Sequence, residues 1–376
     1  MLSRPGARAE LPRAHPAGRV RPLDESDLPQ VVSLYREVFG DPEHLSPREL
    51  AGWLEAILCR HPWHDDELPS LVWETDDGRI TGCLGVQPRT MSLGGRPIRA
   101  VVTHTFMVAP GSRATLTGVA LARSLLNGRQ DLCIAEGVGA SRRLMEGLGG
   151  SVSLLHSLRW TRPLRPARYL LSYFERRGLP AAAGRALAPL CAAADALTPA
   201  ALGALPCPPG NRLTRAPLDS GSWKAGLDDL ARLRALRPGY DAAALRWLNA
   251  LLDRRRGLGT LRRMVVRDRE GKAAGWFVYY LRRGGVSEVV QLASDPGATG
   301  EVLDHLFEDA RQGGSVAVRG ALDPPHFTAL VKKGCVFHHD GDRWFVFHSR
   351  RPGVIDAILR GDAFISRLEG EWCLVL

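Results

Sequence analysis

The chain has 376 residues, 45% of them hydrophobic and 24% charged, with a net charge of +10. That length allows two domains or one large one, and without a run of 18 apolar residues a membrane-spanning helix is not expected. The positive charge suggests a nucleic-acid partner, but only four of the 50 basic residues are lysine, the arginines are scattered and no aromatic residues interleave with them, so small anionic ligands fit better.

Residues 1–18 are rich in Pro, Gly, Ala and Arg and lack the apolar stretch of a secretory signal, so they read as a disordered leader. Arg19–Leu23 reads as a short strand. Val31, Leu34, Tyr35 and Val38 then recur at helical spacing up to Gly40. A second helix is expected over Pro47–Leu58. Strands follow at Leu71–Glu74 and Ile80–Val86, joined by an Asp76-Asp77-Gly78 turn. Ile98–Val108 reads as a longer strand that feeds a loop and an apolar helix. Leu132–Glu136 is the next strand, Ser141–Gly149 a short helix and Val152–Trp160 a closing strand.

Residues 164–210 are Ala-, Leu- and Pro-rich and read as one or two helices and a linker. The pattern then restarts. VVTHTFMVAPGSRATLTGVALARSLL is answered by VVQLASDPGATGEVLDHLFEDA, and LCIAEGVGASRRLMEGLGGSV by VAVRGALDPPHFTALVKKGCV. Matching order in both halves indicates a tandem α/β module. The expected division is a leader to 18, a first domain over 19–163, a helical linker over 164–210, a second domain over 211–350, and an apolar extension over 351–376 that packs back on the body.

The seven cysteines show no C-x-x-C spacing and mostly sit in apolar contexts, as buried thiols of a reducing cytosol do, so a cytoplasmic location is expected. His61, His64, Asp65 and Asp66 are metal-ligand types, as are His338, His339 and Asp340. Pro62 and the polar surroundings make loops of both, and no metal site is expected.

Ala109-Pro110-Gly111-Ser112-Arg113-Ala114-Thr115-Leu116-Thr117-Gly118 joins a strand to a helix. Unpaired backbone N–H groups and the helix dipole at such a start attract a pyrophosphate, and small residues let its oxygens come close. With Arg113 and Gly118 in place and Leu116 where a middle glycine would stand, this stretch resembles the GCN5-related N-acetyltransferase (GNAT) signature between the fourth strand and third helix. The order of elements carries the resemblance over 19–163, and more weakly over 211–349.

The resemblance implies two tandem GNAT-like α/β modules, each with a mixed, mainly antiparallel sheet flanked by helices. It implies acetyl-CoA as acyl donor, cradled by Arg113, Ala114, Thr115, Leu116, Thr117 and Gly118, with its pantetheine arm along Phe106, Met107 and Val108. It implies a small amine or peptide acceptor. The amine needs a base, and the candidates are His104 and Glu136; the bland alternatives are a histidine packed in the sheet and a glutamate capping the turn at Gly137. The family often places a thiolate-protonating tyrosine where Met145 stands here. In the second module Asp295 occupies the loop in place of a basic residue, which makes a poor phosphate site. A non-catalytic acyl-CoA-binding or scaffold protein is the alternative reading.

Overall fold

The computed structural model describes residues 18–42, 45–113, 116–197, 213–230, 233–339, 341 and 343–374. The expected leader, except Gly18, and the part of the expected linker over 198–210 lie outside them, as do Ala114 and Thr115. The chain divides into two compact units, residues 1–87 with 103–129, and residues 88–102 with 130–376.

The first unit begins with β1 (Gly18–Pro22), α1 (Leu28–Phe39), α2 (Pro47–Leu58) and β2 (Leu71–Thr75). It continues into the first part of β3 (Ile80–Leu93), the last part of β4 (Arg96–Val108), and α3 (Thr117–Leu126). β2 runs antiparallel to both β1 and β3, with Pro22 opposite Leu71 and Leu71 opposite Leu84. α2 starts where its sequence says it should. Ser46 accepts from the Glu49 N–H, and the Glu49 carboxylate accepts from the Ser46 N–H. The apolar faces of the helices supply the core through Val31, Leu34, Leu54, Ile57 and Leu121. Arg21 reaches Asp27 at 2.6 Å and Glu74 at 3.0 Å, and this holds the Asp27 carboxyl below its ordinary range. Gly82 lets α3 lie close on β3, since a Cβ there would come within 2.7 Å of Thr117 Cγ2.

The second unit holds the remaining parts of β3 and β4, then β5 (Leu132–Gly137), α4 (Gly139–Gly147), β6 (Ser151–Ser153), α5 (Leu154–Ser157) and β7 (Leu158–Pro163). The helical pair α6 (Pro166–Glu175) and α7 (Ala181–Leu197) follows. Next come β8 (Thr214–Pro217), α8 (Ser220–Leu230), β9 (Leu236–Pro238), α9 (Ala242–Arg254), β10 (Thr260–Arg267), β11 (Ala273–Leu281) and β12 (Val286–Ser294). The chain closes with α10 (Thr299–Gln312), β13 (Ala317–Ala321), α11 (Phe327–Lys332), β14 (Val336–His339), β15 (Trp344–Ser349) and α12 (Val354–Leu359).

β4 pairs parallel with β5 over Ala100–Val102 and Leu132–Ile134, and β12 pairs parallel with β13. The other ladders among the described strands are antiparallel, so both sheets are mixed and mainly antiparallel. The second sheet runs β14-β7-β13-β12-β11-β10-β8.

That order contains an exchange. β7, from the first half of the chain, lies between β13 and β14, while β15, from the second half, lies between β5 and β6. The single strand expected over Val152–Trp160 is in fact two, broken by the four-residue helix α5. Ser153 causes the break. Its hydroxyl oxygen accepts from the His156 N–H, and its Oγ lies 2.8 Å from His156 Nδ1. Beyond the break Trp160 is buried against Gly320, where a Cβ would come within 2.7 Å of the indole, and its Nε1 donates to the Ala321 carbonyl. Cys83, Cys133, Cys335 and Cys373 are buried free thiols, as the sequence suggested. Among the described residues no helix is long and apolar enough to cross a membrane.

Candidate functional site

In the first unit β4 ends at a turn that the strand itself sets up. Ala109 donates to the Thr81 carbonyl on β3, Ser112 donates back to Ala109, and α3 begins at Thr117. Leu116 is the N-cap of α3, and its side chain, like any leucine, offers no capping acceptor. The first N–H groups of the helix are therefore left to be satisfied by something other than a cap. The Leu116 side chain is 59% exposed, so it is not part of the core. Arg113 is exposed beside it, and Thr117 is buried at the helix start. Of the expected cradle residues, Ala114 and Thr115 lie outside the described residues.

Upstream, Met107 is wholly buried while Phe106 and Val108 are half-buried, as alternation along a strand requires. Within that strand Thr105 has φ at +50°, a left-handed conformation that a β-branched residue adopts only at a cost of order 1–3 kcal/mol. Such strain clusters at functional sites. His104, 1% exposed, lays its imidazole on the backbone of Gly85, where a Cβ would stand 2.5 Å from the ring. Its Nδ1 lies 2.9 Å from the Thr105 hydroxyl. Gln87, two residues along β3 from Gly85 and so on the same face, is fully buried with neither amide atom hydrogen-bonded. The glycines at 82 and 85, inside a strand, were the sequence signal for this close packing; nothing local marked Thr105 or Gln87.

The matching stretch of the second module is built alike and filled differently. Asp295 donates its N–H to the Ala274 carbonyl on β11, and Ala298 donates back to Asp295. β12 carries one extra residue, since Val278 faces Gln291 while Tyr279 faces Val289. Beside that bulge Gln291 Oε1 accepts from both Trp223 Nε1, at 2.7 Å, and Trp276 Nε1, at 2.9 Å. At the loop the buried Thr299 hydroxyl bonds to Ser294 at 2.8 Å, and Asp295 puts a carboxylate at the approach to α10.

No protein-family model matches the sequence, and no curated protein matches it. Solved structures do match. A protein of Enterococcus faecalis V583, described as a probable N-acyltransferase, superposes with a TM-score of 0.58 at 13% identity, covering 92% of this chain and 74% of that one. A GCN5-related N-acetyltransferase from Anabaena variabilis gives 0.57 at 13% identity, over 88% and 72%. Another from Kribbella flavida gives 0.51 at 15%, over 88% and 70%. The chain has the GNAT fold, in two tandem modules.

Within that GNAT fold Glu136 ends β5 in the second unit. Its Oε1 accepts from the Trp372 N–H at 3.1 Å, and Oε2 lies 3.4 Å from Arg343 Nη1. Gly370 makes room for it, since a Cβ there would meet Oε1 at 2.4 Å. Glu136 is thus anchored by the segment after α12, which the sequence marked only as an apolar extension. Met145 is buried in the core. Tyr240 is buried too, its hydroxyl committed to Glu369. Among the described residues no group of three or more His, Cys, Asp or Glu could hold a metal ion. His64 instead pairs with Asp66 at 3.0 Å, and His339 packs on Trp344.

Proposed function

We propose that the protein is an N-acyltransferase that moves an acetyl or related acyl group from coenzyme A to an amine, with the donor bound on the first module. The observation that carries the reading is the strained β4 leading into an uncapped α3. Arg113 and the backbone N–H groups after Leu116 take the pyrophosphate, joined by Thr117, Gly118 and the expected Ala114 and Thr115. Leu116 is exposed and still offers its backbone N–H despite standing where the glycine would. Phe106, Met107 and Val108 offer the strand along which the pantetheine amides pair.

Amide formation requires the amine nitrogen to bond to the thioester carbonyl carbon, the carbon–sulfur bond to break, and one proton to pass from the amine to the thiolate. His104 is our choice for carrying that proton, first as base and then as acid, with Thr105 orienting the ring through Nδ1. Glu136, whose two oxygens already have donors, is the second candidate. Buried Met145 offers no proton.

Calorimetric titration with acetyl-CoA tests the reading. Micromolar binding is expected for the parent chain, weakened by about a hundredfold in Arg113→Glu, because a charge-assisted contact is replaced by a carboxylate facing the pyrophosphate. Equal affinity in both would place the donor elsewhere. Binding without turnover on any amine would leave the acyl-CoA-binding protein as the function.

A further inference from the structure

In the second unit α6 and α7 pack on one another as a hairpin that leaves its large apolar side chains in solvent. α6 has no buried residue, and α7 buries only Gly184. Leu170, Tyr173 and Phe174 stand three and four positions apart on α6, which puts them on one face, with Leu170 55% and Phe174 54% exposed. Leu187 and Leu190 form a second stripe on α7, and Leu190 is 67% exposed. The 17 residues of α7 include only two charged side chains, Arg185 and Asp195. A solvated helix carries polar residues opposite its packed face, whereas α7 exposes alanine, proline and leucine there. A contiguous exposed apolar surface of this kind marks an interaction site.

The charges of the hairpin decide what can cover that surface. Asp195 is turned inward. It accepts from the Ala167 and Arg168 N–H groups at 2.8 and 3.1 Å, which satisfies the start of α6, and Arg168 Nε lies 3.9 Å from it. Glu175 leans on Gly184, where a Cβ would collide with its Oε1. Arg177 stacks over the Tyr173 ring at 4.6 Å, beside the α6 stripe. Arg176 and Arg185 are exposed, and among the described residues neither pairs with a carboxylate. With Arg168 set against Asp195, three guanidinium groups remain against Glu175.

We propose that the α6–α7 hairpin is a docking surface for an anionic lipid bilayer. The leucine and aromatic side chains enter the boundary of the acyl chains, and the guanidinium groups meet the charge of the headgroups. A second copy of this chain is the poorer occupant. Pairing the face with itself sets an excess of arginine against the same excess, whereas anionic headgroups neutralise it. The net charge of +10 on the whole chain adds to the attraction.

The test sediments the full chain with vesicles of phosphatidylcholine, alone or mixed equally with phosphatidylglycerol. Binding to the mixed vesicles is expected to be about tenfold tighter or more, and to weaken as salt is added. Leu187→Glu with Leu190→Glu should weaken it about a hundredfold, because each carboxylate replaces an apolar contact with the bilayer. Arg176→Gln with Arg185→Gln should weaken it about twentyfold on the mixed vesicles and leave binding to phosphatidylcholine unchanged. If the leucine variant disturbs the hairpin, the arginine variant decides. Equal binding to both kinds of vesicle, unchanged binding in the arginine variant, or no binding at all overturns the proposal. In the last case sedimentation velocity reassigns the face: a dimer broken by Leu190→Glu gives it to a second copy, and a monomer to the rest of this chain. These readouts use no acetyl-CoA, so the surface and the donor reading fail separately.

Discussion

The two modules share a scaffold and differ in what fills it. In each, the strand before the loop departs from regular geometry, at Thr105 in one and Val290 in the other, and donates back to its neighbour just before the turn. In the first module a glycine, an imidazole and an unsatisfied glutamine lie beside the irregular strand, and a basic residue stands at the helix start. In the second, two indoles and a glutamine close on one another, and an aspartate stands at the helix start. Beside the irregular strand the first module leaves the Gln87 amide without a partner, whereas the second closes Gln291 on its two tryptophans. A duplicated fold can thus keep one copy for chemistry while packing turns the other into support.

The largest expected effect comes from Gln291→Leu, which leaves the Trp223 and Trp276 N–H groups buried without an acceptor. Each such donor costs about 1–3 kcal/mol, so urea unfolding should show a loss of about 3 kcal/mol. A loss under 1 kcal/mol would mean that the second module is not held shut by this group.

The strand exchange is tested by pH. Burial pushes His156, at the break between β6 and β7, down to about 4 from an ordinary 6.5. Between those values the unfolded chain binds a proton that the folded chain does not, so stability falls as pH drops from about 6.5 towards about 4. The contribution is at most about 3 kcal/mol. The slope should flatten in His156→Gln, and an unchanged slope would assign it to other groups.

Gly85→Ala sets a Cβ against the His104 ring, and a cost of about 1–3 kcal/mol is expected. Turnover should fall far more than acetyl-CoA affinity, since the proposed base moves while the proposed cradle stays. Parallel losses in both would separate His104 from the chemistry.

The smallest effect has the opposite sign. Gln87→Leu removes a buried amide with no partner, so stability should rise by about 1 kcal/mol while turnover falls. Destabilisation there would show that Gln87 is satisfied in solution, as Gln291 is.

Much of the fold was legible because each signal was local. Val31, Leu34, Tyr35 and Val38 declared α1, Ser46 and Glu49 form the box that starts α2, and the Asp76-Asp77-Gly78 turn joined β2 to β3. The approach to α3 was legible for the same reason. What escaped was set by neighbours distant in sequence. An apolar run through 152–160 reads as one strand until Ser153 caps α5, and no periodicity reveals that β7 and β15 change places. The anchoring of Glu136 by Trp372 spans 236 positions, and Glu288 on β12 pairs with Arg159, Arg319 and Arg367.

By itself the sequence determined the α/β class and the order of many of its elements, since periodicity, turn chemistry and capping act within a few residues. Only the tertiary structure decided that His104 lies on Gly85, that two tryptophans of the second copy close on Gln291, and that four arginines meet around two glutamates. These depend on which strands become neighbours, and that choice is made by burying apolar surface over the whole chain, which no local pattern encodes.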